Sequence, residues 1–129
     1  MALLDAVLDW DAGSIHAIGE RHALHGHPLR STVGLHAIHL AEYGAQAVAV
    51  HGALLAAAQG DEASIRAGRL ASLREVELAV EYVDLSLGRL DIQATRLMAD
   101  ERGAQYTFKI EQRQRPLASG RVVVIYADS

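Results

Sequence analysis

Two periodicities divide this chain. From Leu35 to Ala58 the sequence LHAIHLAEYGAQAVAVHGALLAAA is almost continuously apolar and rich in Ala. Ala is the best helix former, and no Pro interrupts the run. It predicts one helix over 36–58, about six turns and roughly 33 Å long. Ala41, Ala45, Ala49, Ala53 and Ala57 recur every four residues and predict a small-residue stripe that a neighbour can approach closely. Gln59-Gly60-Asp61 ends the segment, with Gly60 near the position where a left-handed residue closes a helix.

On either side of the helix the period is two. Residues 3–11 fit a short helix or a strand, and Asp11-Ala12-Gly13-Ser14 is a turn signal. Ser14–Ala23 alternates as a strand, with Ile15, Ala17 and Gly19 on one side and His16, Ile18 and Glu20 on the other. Residues 24–34, LHGHPLRSTVG, read as a polar loop. After the helix, 65–82 carries alternating pieces, Leu85–Gly88 is a connection, and Leu90–Met98 alternates again. Asp100-Glu101-Arg102-Gly103 predicts a hairpin turn. Tyr106, Phe108 and Ile110 set against Thr107, Lys109 and Glu111 give a half-exposed strand. Arg115-Pro116 and Ser119-Gly120 bracket the next expected turn, before a terminal strand at 122–127. Trp10 reads as an anchor for the first strand.

A single helix must be covered, and one curved antiparallel sheet wrapped around it is the economical solution. The expected fold is therefore α+β with the hotdog architecture, a single domain over 1–129. Such sheets pair into dimers or higher oligomers, which also protects the sheet edges.

Composition narrows the chemistry. With 129 residues and half of them apolar, the chain is globular. It has no cysteine, which excludes disulfides, thiolate metal sites and cysteine nucleophiles. The net charge of −4 and the lack of a basic block argue against nucleic acid. The N-terminus carries acids where a secretion signal carries basic residues. His, Glu and Gln interrupt the longest apolar run, which argues against a membrane span. The expectation is a soluble cytoplasmic protein. No Gly-rich phosphate loop or nucleophile elbow is present. Seven His invite a metal reading: His36, His39 and Glu42 could approach one ion, and His22, His25 and His27 lie close in sequence. Neither HExxH nor a Cys ligand pattern is present, and no metal or cofactor is expected.

What remains is a group of polar side chains in the apolar helix: His36, His39, Glu42, Tyr43, Gln46 and His51. Ionisable groups in such a setting are costly and point to chemistry. His39 lies three residues before Glu42, so the two share a helix face, and Gln46 extends that face. His16, His22, His25 and His51 read as surface or packing residues. The Arg113–Arg115 stretch reads as a solvated strand end, although a basic rim would suit an acidic partner.

LLDAVLDWD at 3–11, HPLR at 27–30 and AEYGAQAVAVHGALLA at 41–56 together resemble the hotdog 3-hydroxyacyl-[acyl-carrier-protein] dehydratases. The closest likeness is to the divergent branch associated with aryl polyene and related polyketide-type biosynthesis. Members of that branch carry further residues, including a His-containing segment, before the LLD motif, on which this chain opens. The resemblance implies dehydration of 3-hydroxyacyl groups carried by acyl carrier protein or CoA, in a dimer or larger oligomer. It also implies a catalytic imidazole and an acidic partner contributed by the other subunit. The acid maps onto Glu42. The well-studied members place their His in an H-F-P-G loop before the helix. His27-Pro28 occupies that place here, without the Phe-Pro-Gly or the second Pro-Gly.

The imidazole is thus a choice among His39, His27 and His36. An imidazole would remove the C2 proton, and a carboxyl held protonated would help the C3 hydroxyl leave. Backbone N–H groups of residues 34–38, including Gly34, would receive charge on the thioester oxygen. Gln46 is carried as a substrate contact, with the alternative that it fixes a strand backbone group. His39 has the alternative of a hydrogen bond across a subunit interface. Two other functions share the fold. One is an acyl thioesterase using the same acid to activate water. The other is a non-catalytic acyl-binding module or one half of a heterodimeric dehydratase, which the missing Phe-Pro-Gly loop favours.

Overall fold

The alternating segments fold as six strands of one antiparallel sheet in a computed structural model that describes residues 3–20, 29, 31, 34–58 and 68–126. They are β1 (Ala6–Trp10), β2 (Ser14–Gly19), β3 (Gly68–Leu78), β4 (Leu90–Ala99), β5 (Gly103–Gln112) and β6 (Arg115–Tyr126). The helix α1 spans Leu40–Ala58 between β2 and β3. The strand order across the sheet is β1-β2-β4-β5-β6-β3, so β3 crosses from the helix to the far edge. Register shifts interrupt the pairings of β1 with β2, β3 with β6, β4 with β5 and β5 with β6. Bulges of this kind bend strands and increase their twist, which lets the sheet curve round α1. The helix packs against β2, β3, β4, β5 and β6. This is the hotdog arrangement.

The inner face follows the period-two pattern. Ile15 and Ala17 of β2, Leu90, Ile92 and Ala94 of β4, Tyr106, Phe108 and Ile110 of β5, and Val122 of β6 are buried. From the helix they meet Leu40, Tyr43, Ala47 and Val48. Each fully buried Leu or Ile contributes about 1.5–3 kcal/mol. Trp10 packs at the margin of this core, as expected of an anchor.

Several expectations shift. The first segment is a strand, not a helix. α1 starts at Leu40 rather than at residue 36, because a 3-10 turn, Ala37–His39, precedes it. The Ala stripe is not what the sheet grips: Ala41 is buried, but Ala49, Ala53 and Ala57 are exposed. A four-residue repeat overshoots the 3.6-residue turn, so the stripe winds off the buried face. Gly44 makes the close approach instead. A Cβ there would lie 2.6 Å from the Phe108 ring, and one at Gly120 would lie 2.8 Å from the same ring. Phe108 is therefore held between a helix glycine and a strand glycine.

The turn expected between Arg115 and Gly120 lies earlier, at Arg113-Gln114. Both residues have positive φ, 51° and 65°, as a two-residue hairpin turn of type I′ requires. Non-glycine residues there cost roughly 1–2 kcal/mol each. Pro116 stands inside β6, opposite Glu111, where the β5–β6 register slips. A bulge is one of the few sheet positions open to proline. The second strand ends at Gly19, and residues 21–23 of the expected strand lie outside the described residues. Gly60, and His22, His25 and His27, lie outside the described residues. Among the described residues no helix is long and apolar enough to cross a membrane.

Candidate functional site at the start of the central helix

The chain enters α1 through a short stretch pinned on one side. Leu35–Ala37 runs beside Glu81–Val83, the segment that follows β3. Ala37 N–H donates to Glu81 O at 2.7 Å, and Val83 N–H donates to Leu35 O at 2.9 Å. Between those two bonds His36 and Tyr82 face one another. This is the pairing of a non-hydrogen-bonded antiparallel site, where opposite side chains come closest. The rings meet edge to face, with centroids 5.1 Å apart. Gly34 supports the entry with φ of 121°, which a side chain would disfavour.

His36 is also the N-cap of the 3-10 turn. Its Nδ1 accepts from Ile38 N–H at 3.0 Å. An imidazole nitrogen that accepts carries no proton, so the ring proton sits on Nε2. In this geometry His36 presents a donor, not a lone pair.

The backbone donors expected for an oxyanion are largely committed. Gly34 N–H donates to Ser31 O, Ala37 N–H to Glu81 O, and Ile38 N–H to His36 Nδ1. His39 N–H, just beyond, closes on His36 O. The sequence could not show this, because the acceptors lie at Ser31, at His36 itself and, for Ala37, 44 residues downstream.

One turn further on, His39 Nδ1 lies 3.4 Å from Glu42 Oε2. The expected face-sharing is therefore realised as an imidazole–carboxylate contact within one chain. The setting differs from expectation: the Glu42 side chain is 52% exposed and that of His39 is 39% exposed in the single chain. Neither is buried in apolar surroundings. Gln46 Oε1 accepts from Leu3 N–H at 2.8 Å, tying the N-terminal segment to the helix. The structure thus brings together Gly34, His36, His39 and Glu42 at one end of α1. Gln46 is turned to the chain's own backbone, and His27 is outside the described residues. Among the described residues no three His, Asp or Glu side chains converge as metal ligands.

Two residues that sequence reasoning passed over matter. Tyr82 is 41% exposed beside the site, and its position follows only from the return of the chain after β3. His51, read as surface or packing, is fully buried. Its Nε2–H donates to Asp11 O at 2.7 Å, and its Nδ1 lies 2.6 Å from Tyr106 Oη. A carbonyl only accepts, so Nε2 holds the proton and the Tyr106 hydroxyl donates to Nδ1. Burial pushes the Tyr106 phenol up to about 12, keeping that donor protonated. This network fastens the β1–β2 turn to the middle of α1. In that turn, Gly13 N–H and Ser14 Oγ donate to the Asp11 carboxylate and hold it below the usual carboxylate range. His16, also read as surface or packing, is half-buried with Nε2 2.8 Å from Asp91 Oδ1.

Comparison with known proteins places this fold in a family. A model of the ApeP-like family, described as ApeP dehydratase, matches residues 1–129. The chain belongs to the ApeP-like family. Among solved structures, a dehydratase heterocomplex, ApeI:P, from Xenorhabdus doucetiae superposes with a TM-score of 0.85 at 23% identity, covering 99% of this chain and 84% of that one. A thioesterase mutant from Staphylococcus aureus gives 0.71 at 12% identity, covering 95% and 93%. A phenylacetic acid degradation protein mutant, PaaI, from Thermus thermophilus gives 0.66 at 18% identity, covering 95% and 92%. Comparison with curated proteins finds no match. At these identities the solved structures establish the hotdog fold. Family and fold together place this chain among the ApeP-like dehydratases, on a hotdog fold.

Proposed function

We propose that this ApeP-like chain dehydrates 3-hydroxyacyl thioesters, carried on acyl carrier protein or CoA, in fatty acid or polyketide-type biosynthesis. The observation that carries the reading is the His39–Glu42 contact on the exposed face of α1, in a chain of a dehydratase family. With Nδ1–H directed at Glu42, 3.4 Å away, His39 would keep the Nε2 lone pair to take the C2 proton. The Nδ1 proton then passes through Glu42 to the C3 hydroxyl, the C3–O bond breaks, and water leaves. The electrons of the C2–H bond become the C2–C3 double bond, and exchange with solvent restores the starting tautomer. His36 is a poorer base, because its Nδ1 is committed to Ile38 N–H. His27 holds the family's sequence position for the imidazole and stays a candidate to reach Glu42 from a second chain.

The half-exposed carboxylate and imidazole require a cover, since a dry site strengthens every charge interaction within it. A second hotdog chain laid against α1 would supply it. That chain is a copy of this one or a related protein, as in the ApeI:P heterocomplex to which this chain is similar. The location in the cell is read as cytoplasmic, where such thioesters are made. The competing reading, supported by the likeness to thioesterases, uses Glu42 to activate water against the thioester carbon.

The deciding experiment incubates the purified chain, alone and with a hotdog partner chain, with a series of 3-hydroxyacyl thioesters. Enoyl thioester that forms with the native protein and not with Glu42→Gln supports the reading. Release of free thiol without enoyl product would transfer the assignment to a thioesterase. No product of either kind, with Glu42→Gln indistinguishable from native, would leave a non-catalytic partner.

A further inference from the structure

The reaction proposed above needs a donor for the thioester oxygen, yet the amides of Gly34, Ala37 and Ile38 are already bonded within the chain. We propose that His36 supplies this donor through Nε2–H, and that Tyr82 is the positioning residue that holds the imidazole in that state. The inference rests on the dehydratase reading.

Three observations converge on it. First, the Ala37–Glu81 and Leu35–Val83 hydrogen bonds fix both backbones, so His36 and Tyr82 are directly opposed. Cross-strand aromatic pairs of this type stabilise one another's rotamers. Second, the Ile38 amide occupies Nδ1 and thereby selects the tautomer with the proton on Nε2. The N-cap does two jobs at once: it starts the turn, and it turns the imidazole into a fixed donor. Third, the Tyr82 ring stands edge to face against the imidazole at 73°. With the cap holding one edge of the imidazole and Tyr82 beside it, little rotation is left. His36 is the extended N-cap residue three positions before His39, at the same end of α1 as the His39–Glu42 pair. A prealigned donor does not have to reorganise as charge develops, which is what an oxyanion contact requires.

The arrangement also assigns separate work to the two imidazoles. His39 has a carboxylate partner and so a proton to relay. His36 has an amide partner and so a proton to lend without giving it up.

The test separates capping from donation. Ser is among the best N-caps but does not reach as far as an imidazole Nε2. His36→Ser is expected to keep the native melting temperature and to lose roughly 10²–10³-fold in kcat, the usual effect of removing one oxyanion donor, with little change in KM. Tyr82→Ala is expected to lose about tenfold in kcat, and Tyr82→Phe to restore it. Ring 15N NMR should show His36 protonated at Nε2 and bare at Nδ1 in the native chain, and a tautomer mixture in Tyr82→Ala. Adding 3-hydroxybutyryl-pantetheine should shift the His36 Nε2–H resonance. Native kcat in His36→Ser, with Glu42→Gln inactive, would overturn this inference and leave the dehydratase reading standing. If the native chain forms no enoyl product, the dehydratase reading falls. The NMR then decides the His36 assignment: an Nε2–H unmoved by the thioester overturns it, and a shifted one supports it.

Discussion

The start and the middle of the helix use histidine in opposite ways. At the start of α1, His36 and His39 are partly exposed; one ring nitrogen of His36 accepts a hydrogen bond, and one of His39 lies 3.4 Å from a carboxylate. In the middle, His51 is fully buried and both its nitrogens are held, by a carbonyl and a phenol. A histidine bonded on both sides has no capacity left for a substrate. It converts a polar side chain into a cross-brace. A histidine bonded on one side keeps a nitrogen free, and its partner decides whether that nitrogen gives or takes a proton. Function should therefore be sensitive at the first site and stability at the second.

The sharpest break in this comparison would come from Glu42→Gln. Turnover of a 3-hydroxyacyl thioester is expected to fall 10²–10⁴-fold, the range for loss of a general acid–base group. The urea midpoint should barely move, since exposed ion pairs contribute less than about 1 kcal/mol. A large loss of stability without loss of turnover would invert the assignment of the two regions. Phe108→Ala should do the reverse. Removing a buried ring costs about 3–5 kcal/mol, read as a large fall in urea midpoint.

Next is His51→Phe, which strands the Tyr106 hydroxyl in the interior and releases the Asp11 carbonyl of the exposed turn. The buried unpaired hydroxyl costs about 1–3 kcal/mol, and the double variant His51→Phe/Tyr106→Phe should recover part of the loss. Tyr106→Phe alone should cost about 1 kcal/mol at neutral pH. It should also change the alkaline limb. The folded phenol titrates at about 12 and the unfolded one near 10. Its contribution is full below pH 10 and is lost as the pH rises from 10 to 12. Denaturation profiles of Tyr106→Phe should lack that decline. The smallest effect lies outside both regions. Arg113→Gly relieves one left-handed residue at the β5–β6 turn and should stabilise by about 1 kcal/mol. A destabilised variant would show that the arginine side chain makes up for its backbone strain.

Much of the fold was legible because periodicity is a local property. The inner rows of β4 and β5, the hairpin at Asp100–Gly103 and the single central helix follow from alternation and from Ala content. The β5–β6 turn was misplaced because Arg-Gln is not a sequence signal for left-handed residues, whereas Pro116 and Gly120 usually are turn signals. Pro116 sits at a bulge, and Gly120 makes room for a ring. The candidate site was half legible. The three-residue spacing of His39 and Glu42 foretold their contact, but not their exposure, which depends on what else covers the helix. Tyr82 had no local signature. It meets His36 through a backbone bridge spanning 46 residues, and such pairing appears only when the chain folds back. His51 looked ordinary for the same reason, since its partners are drawn from β5 and from the β1–β2 turn.

The ring of Phe108 between Gly44 and Gly120 has one more consequence. Three residues from three separate elements share one volume, so none of them can drift independently. In related chains, a larger residue at either glycine position should be accompanied by a smaller one in place of the ring. Within this chain, Gly44→Ala should be poorly tolerated alone and rescued by Phe108→Leu, a coupling that a double-mutant cycle would read directly. The distance between helix and sheet, and with it the height at which Glu42 stands, would then be inherited as a matched set.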